Sequence, residues 1–137
     1  MSASPAGAMR AFRRPRLWLA VWAFGWALCV ALSLLPPVAV DAPSGTDKLG
    51  HFIAYFVLSA WAVQIFGTWR AQALAAAALV ALGIALEFAQ AGFTADRFGE
   101  PADALADTLG VLLGLATAAT PLATVLQRFE RRVPSPD

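Results

Sequence analysis

Asp47, His51 and Tyr55 recur at i, i+4 and i+8, the spacing that puts three side chains on one stripe of a helix. Glu87 and Gln90 stand three apart and Asp103 and Asp107 four apart, so each pair also shares a helical face. Lys48 and Arg97 are cations close to them in the chain. A histidine beside carboxylates can move a proton, and carboxylates with an imidazole can hold a divalent ion. Arg, Lys, Gln and Tyr can bind the oxygens of a polar head group. Taken singly, each residue has a plainer use. Thr46 with Asp47 suits a helix N-cap, Lys48 can snorkel to an interface, and Tyr55 fits an aromatic belt. Asp103, after Pro101, favours the positive start of a helix.

Apolar runs must position these groups. The 137 residues are 59% hydrophobic and 14% charged, with a mean hydropathy of +0.64, whereas a soluble domain carries about 25% charged residues. That composition excludes a soluble enzyme and predicts an integral membrane protein. Cys29 lies alone inside an apolar run, which excludes an internal disulfide and a cysteine metal box. No basic stripe with interleaved aromatics points to nucleic acid.

Four runs have span length: Leu17 to Leu35, Leu49 to Phe66, about Ala71 to Ala89, and about Leu105 to Leu122. Each suffices for a hydrocarbon core of roughly 30 Å at about 1.5 Å per residue. Gly67-Thr68-Trp69-Arg70 makes a tight turn, and the loops Pro36 to Lys48 and Ala91 to Asp103 are longer. The predicted fold is all-α and polytopic: a bundle of four transmembrane helices in two hairpins. It spans residues 17–122, after a basic cytoplasmic segment 1–16 and before a cytoplasmic tail 123–137. Trp18, Trp22 and Trp26 form a stripe suited to interface anchoring and helix packing, and Gly110 and Gly114 offer a face for close backbone approach.

Basic residues before the first run, followed by Val40-Asp41-Ala42, loosely imitate a secretion signal. The run exceeds an h-region of roughly 7–15 residues, and Pro43 would follow the cut, so it reads as a retained span. Lys and Arg in short loops resist translocation. With the N-terminus inside, Arg10, Arg13, Arg14, Arg16, Arg70, Arg128, Arg131 and Arg132 are cytoplasmic, eight in all, and only Lys48 and Arg97 lie outside. Both termini are therefore expected in the cytoplasm, in a bacterial inner membrane. Glu87 falls roughly 24 Å along its helix, near the same outer level as the other polar groups. Ionisable residues at such depth are costly and face an interior or a wet cavity, so they read as functional by default.

In order, Asp47-Lys48-x-x-His51-Phe52-x-x-Tyr55, Glu87-x-x-Gln90, Arg97, Asp103 and Gly110-x-x-x-Gly114 resemble the VanZ-like family, over about Asp41 to Gly114. The resemblance implies a small multi-helix membrane protein of a family whose founding member is associated with low-level resistance to the lipoglycopeptide teicoplanin. The residues it carries over are Asp47, Lys48, His51, Tyr55, Glu87, Gln90, Arg97 and Asp103. Where the family usually has Asn, this chain has Asp107, a carboxylate in place of a neutral amide.

The expected function is binding or modulation of an envelope lipid or lipid-tailed compound at the outer interface. Arg97 and Lys48 would meet anionic oxygens, and Gln90 and Tyr55 would hydrogen-bond. The expected partners are therefore membrane lipids or a lipid-linked envelope molecule, with homo-oligomers left open. One alternative is an intramembrane enzyme with His51 or Glu87 as acid-base, for which neither Ser44 nor Ser59 carries a nucleophile signature. Another is a divalent-ion site of Asp47, His51, Glu87 and Asp103 or Asp107; one His among carboxylates does not make a metal motif, and no metal or cofactor is assigned. A third is a polar network that only pins the helices. Transport finds no broken helix to use. Reporter fusions test the topology: those at Thr68 and after Arg132 are expected to read cytoplasmic and one at Gly45 periplasmic, and the opposite pattern reverses the orientation.

Overall fold

The computed structural model describes residues 7–36, 41–93 and 99–134. The described residues are 81% helix and include no strands. The elements are α1 (Pro15–Leu34), α2 (Thr46–Ile65), α3 (Trp69–Phe93), α4 (Pro101–Ala116), the 3-10 turns Thr117–Ala119 and Pro121–Thr124, and α5 (Val125–Arg132). Four helices are long and apolar enough to cross a membrane, of 20, 20 and 25 residues for α1 to α3 and 19 for α4 with its following turn.

Local chemistry sets the helix ends. α1 and α4 each carry proline in the first turn, where its missing N–H costs nothing. The cap expected from Thr46 and Asp47 does not form. Gly45 precedes α2 at φ 87°, with no side-chain cap, and the Thr46 hydroxyl donates back to the Pro43 carbonyl at 2.7 Å. Only glycine takes that φ without strain. The fourth apolar run was expected to continue to Leu122, but regular α-helix ends at Ala116. The Thr117 hydroxyl donates to the Gly114 carbonyl at 2.7 Å, and Pro121 has no N–H to continue the ladder.

Residues 123–134 pack on the bundle. α5 folds back on the bundle through Glu130, which is 7% exposed. Its carboxylate accepts the Arg13 N–H at 2.6 Å, the Arg14 N–H at 3.0 Å and the Trp18 indole at 2.8 Å. Burial pushes this carboxyl up, but the Arg13 N–H, the Trp18 indole and the Arg14 N–H outweigh it and hold it below the ordinary glutamate value. The basic segment 1–16 is likewise tied down where it is described: the Arg10 N–H donates to Ile65 O at 2.8 Å and the Gly67 N–H to Ala8 O at 2.9 Å.

α2 lies at the centre, burying Tyr55, Leu58, Ser59, Ala62, Val63 and Ile65. Its partner α1 runs antiparallel: Trp18 meets Trp61 with ring centroids 6.1 Å apart, and the Trp22 indole donates to Leu58 O at 2.9 Å. The tryptophan stripe thus packs against α2. The most extensive interface joins α2 to α4, elements distant in sequence that run in the same direction. A Cβ on Gly110 would overlap the Phe52 carbonyl, and one on Gly114 would sit 2.6 Å from Phe56 O. The outward surface is apolar, with Leu74 72% and Phe88 75% exposed.

Gly110→Ala and Gly114→Ala are each expected to force α2 and α4 apart, at about 1–3 kcal/mol for overpacking, lowering the midpoint of thermal unfolding in detergent. Gly50→Ala, with nothing within 4 Å of the added methyl, is expected to leave or slightly raise it.

Candidate functional site

The helix directions bring the C-terminal ends of α1 and α3 together with the N-terminal ends of α2 and α4. There Asp103 and Asp107 straddle His51. Its Nδ1 lies 3.0 Å from Asp107 Oδ1, and its Nε2 lies 3.8 Å from Asp103 Oδ2. The first contact is a hydrogen bond; the second is electrostatic only. Asp107 is 1% exposed and Asp103 7%. Gly83 on α3 provides the room, since a Cβ there would stand 2.8 Å from Asp107 Oδ2.

Lys48 sits at the mouth, 2.7 Å from Glu100, 3.5 Å from Asp103 and 3.6 Å from Asp47. Rather than snorkelling, it joins α2 to the start of α4. Glu87 accepts the Glu100 N–H at 2.6 Å, so a carboxylate from α3 caps the positive start of α4. Among the described residues, five carboxylates (Asp47, Glu87, Glu100, Asp103 and Asp107) face one ammonium and one imidazole here. Asp103 Oδ1 is buried with no hydrogen-bond donor, its ion pair with Lys48 apart.

The remaining sequence candidates divide. Tyr55 is no belt residue: at 1% exposure it lies under the cluster, with the Cys29 thiol in hydrogen-bonding reach. Gln90 turns to α1, where its amide donates to Ser33 O at 2.8 Å, and so holds α3 against α1. Arg97 lies outside the described residues. Sequence reasoning missed Glu100, Ser33 and Cys29. The signal for the last two was present, because they stand four apart at the end of an apolar run that ends near the outer level.

A pocket of about 340 Å³ opens beside His51, between α1 and α2, lined by Cys29, Leu32, Ser33, Asp47, Gly50, His51, Ala54 and Tyr55. Ser33, Asp47, His51 and Tyr55 supply its polar side chains and Cys29, Leu32 and Ala54 its apolar ones. Two trios could each bring three ligand atoms within 4.8 Å of one another for a metal ion: His51, Glu87 and Asp107, or Asp47, Glu100 and Asp103. Glu87 and Asp107, however, already spend oxygens on Glu100 and His51. Ser59 donates to Val111 O at 2.8 Å and so serves the packing of α2 on α4. His51 oriented by Asp107 is equipped to accept or give a proton at Nε2.

No protein-family model, curated protein or solved structure gives a significant match to this chain.

The ion-pair geometry is open to a double-mutant cycle. Lys48 is 38% and Glu100 53% exposed, so solvent screens the pair. Lys48→Gln and Glu100→Gln are expected to show a small favourable coupling in unfolding free energy, which fades as salt is raised. Zero coupling at low salt would show that Lys48 serves the other carboxylates instead.

Proposed function

We propose that this chain is a VanZ-like, multi-pass protein of a bacterial inner membrane that binds an envelope lipid or lipid-tailed compound by its head at the outer end of the bundle. In this reading α1 with α2 and α3 with α4 are the two transmembrane hairpins, and both termini are cytoplasmic. The eight-to-two division of Arg and Lys supports the orientation. The exposed Leu74 and Phe88 support placement in lipid, which covers apolar side chains that water would penalise.

The observation that carries the binding reading is the pocket beside His51, which combines polar and apolar side chains and so suits a molecule with a head and a tail. Its polar groups are mostly acceptors. Lys48, expected to meet anionic oxygens, is instead occupied by Glu100, Asp103 and Asp47. The head group best suited to Asp47 and His51 therefore offers donors: hydroxyls of a sugar or polyol, or an amine.

A second reading has one observation in its favour. The 3.0 Å contact of His51 with Asp107 orients the ring for acid-base work on such a bound molecule.

The protein extracted directly into native nanodiscs, with its lipids identified by mass spectrometry, tests the proposal. Expected is enrichment of a hydroxyl- or amine-headed lipid over the bulk membrane. His51→Gln should abolish it while the unfolding midpoint stays near wild type, and Leu74→Ala on the outward face should retain it. Co-purified lipid of bulk composition, or loss of binding only in step with loss of stability, overturns the reading in favour of a polar network that merely pins the helices.

A further inference from the structure

Asp103 is the least satisfied carboxylate of the cluster. It is 7% exposed, yet its Oδ1 is buried without a hydrogen bond. The Lys48 ammonium stands 3.5 Å from that oxygen, longer than a charge-assisted bond of about 2.7–2.9 Å, and makes its short contact, 2.7 Å, with Glu100 instead. Asp103 Oδ2 is 3.8 Å from His51 Nε2, beyond hydrogen-bond reach. A carboxylate withdrawn from water is costly unless a charge pairs with it closely.

His51 meets Asp103 with its other nitrogen already engaged. Nδ1 lies 3.0 Å from Asp107 Oδ1, and a carboxylate behind one ring nitrogen orients the imidazole and makes the other nitrogen a better metal ligand. An imidazolium would donate at both nitrogens, and the gap at Nε2 is too long for the second bond. Glu87 approaches from α3, where one of its oxygens comes within 4.8 Å of ligand atoms of His51 and Asp107. It accepts the Glu100 N–H through Oε2, which leaves Oε1 for a ligand. The outer trio of Asp47, Glu100 and Asp103 is different, because Lys48 stands within 3.6 Å of every member and fills that place with its own charge.

We propose that His51 Nε2, Asp103 and Glu87 bind a divalent transition ion, zinc or manganese, with Asp107 as the positioning residue behind the imidazole. Two ligand atoms each about 2.1 Å from a tetrahedral ion stand roughly 3.4 Å apart, so the 3.8 Å between Nε2 and Oδ2 has only a few tenths of an ångström to close. One imidazole with two carboxylates suits these ions, whereas magnesium and calcium take oxygen ligands. The ion gives the buried Asp103 the close charge that Lys48 does not, and a fourth position stays open for water or an oxygen of a bound molecule. The inference goes beyond the head-group reading and does not rest on it.

The untagged full chain in detergent, stripped with a chelator and titrated with zinc by calorimetry, tests it, with cobalt as a spectroscopic probe. Expected are one zinc ion per chain that millimolar magnesium does not displace, and a visible cobalt absorption of a low-coordinate site. Asp103→Asn and His51→Gln should each abolish both signals. Asp107→Asn, behind the ring, should weaken zinc binding about 10–100-fold with the stoichiometry kept. Lys48→Gln removes a positive charge 3.5 Å from Asp103 and should tighten binding several-fold. Absence of binding, several weak equivalents displaced by magnesium, or zinc affinity that survives Asp103→Asn or His51→Gln overturns the site. Should those two variants fail to fold, Lys48→Gln decides, and unchanged or weaker binding in it overturns the site as well. No lipid is added, so a negative result here leaves the head-group proposal standing, and lipid of bulk composition in the nanodisc experiment leaves the ion site standing.

Discussion

The contact of α4 with the backbone of α2 is the constraint on which the rest depends. Gly110 and Gly114 let the two helices approach until α4 touches the main chain at Phe52 and Phe56, closer than any side chain would permit. Because both helices run in the same direction, that contact fixes the register of everything above it. His51 arrives level with Asp107, one helical turn on from Asp103, and Ser59 reaches the Val111 carbonyl. A small residue is then needed on the third side, and Gly83 supplies it against the Asp107 carboxylate. The polar cluster is a consequence of packing small residues, and a looser bundle would not hold it.

Concentrating carboxylates in this way creates a repulsion that Lys48 cannot offset alone. The chain uses helix starts as well. Glu87, from α3, accepts the N–H at the start of α4; Glu130, from α5, accepts two N–H groups at the start of α1. In both cases an acid on one helix caps the positive end of another, and one feature both satisfies a charge and docks an element. The first cap closes the acidic end of the bundle and the second fastens α5 at the basic end.

Much of this was legible in the sequence. The apolar runs gave the four long helices to within a few residues at most ends, because spans of this length leave composition little freedom. The stripes at Asp47, His51 and Tyr55 and at Asp103 and Asp107 predicted shared faces correctly, since helical spacing alone decides them. What spacing cannot decide is which neighbour a face meets. Gln90 shares a face with Glu87 yet bonds to Ser33 of α1, and Lys48, expected to meet anionic head-group oxygens, is engaged by three carboxylates. No helical spacing marks Glu100, because its role depends on α3 ending beside the start of α4. The docking of α5 was hidden for a similar reason: Glu130 reads as one acid among arginines until its main-chain partners, more than 100 residues away, are known.

Exposure across the cluster falls in order, and that order assigns roles. Asp47 is exposed and Lys48 half-buried, His51 is partly covered, Asp103 is 7% exposed, and Asp107 and Tyr55 are each 1% exposed. In the proposed binding reading, a head group in the pocket beside α1 meets Asp47 and the His51 ring, and Asp107 lies on the far side of the imidazole at its Nδ1. Asp107 is thus a positioning residue whose carboxylate holds the ring by Nδ1. An amide oxygen would accept the same N–H without adding a charge to a site that already carries an excess of carboxylates. Asp rather than Asn at 107 therefore strengthens the hold on His51 through a charge-assisted bond, at the cost of making the floor of the cluster more acidic. A donor-rich or cationic head gains from that change and an anionic one loses.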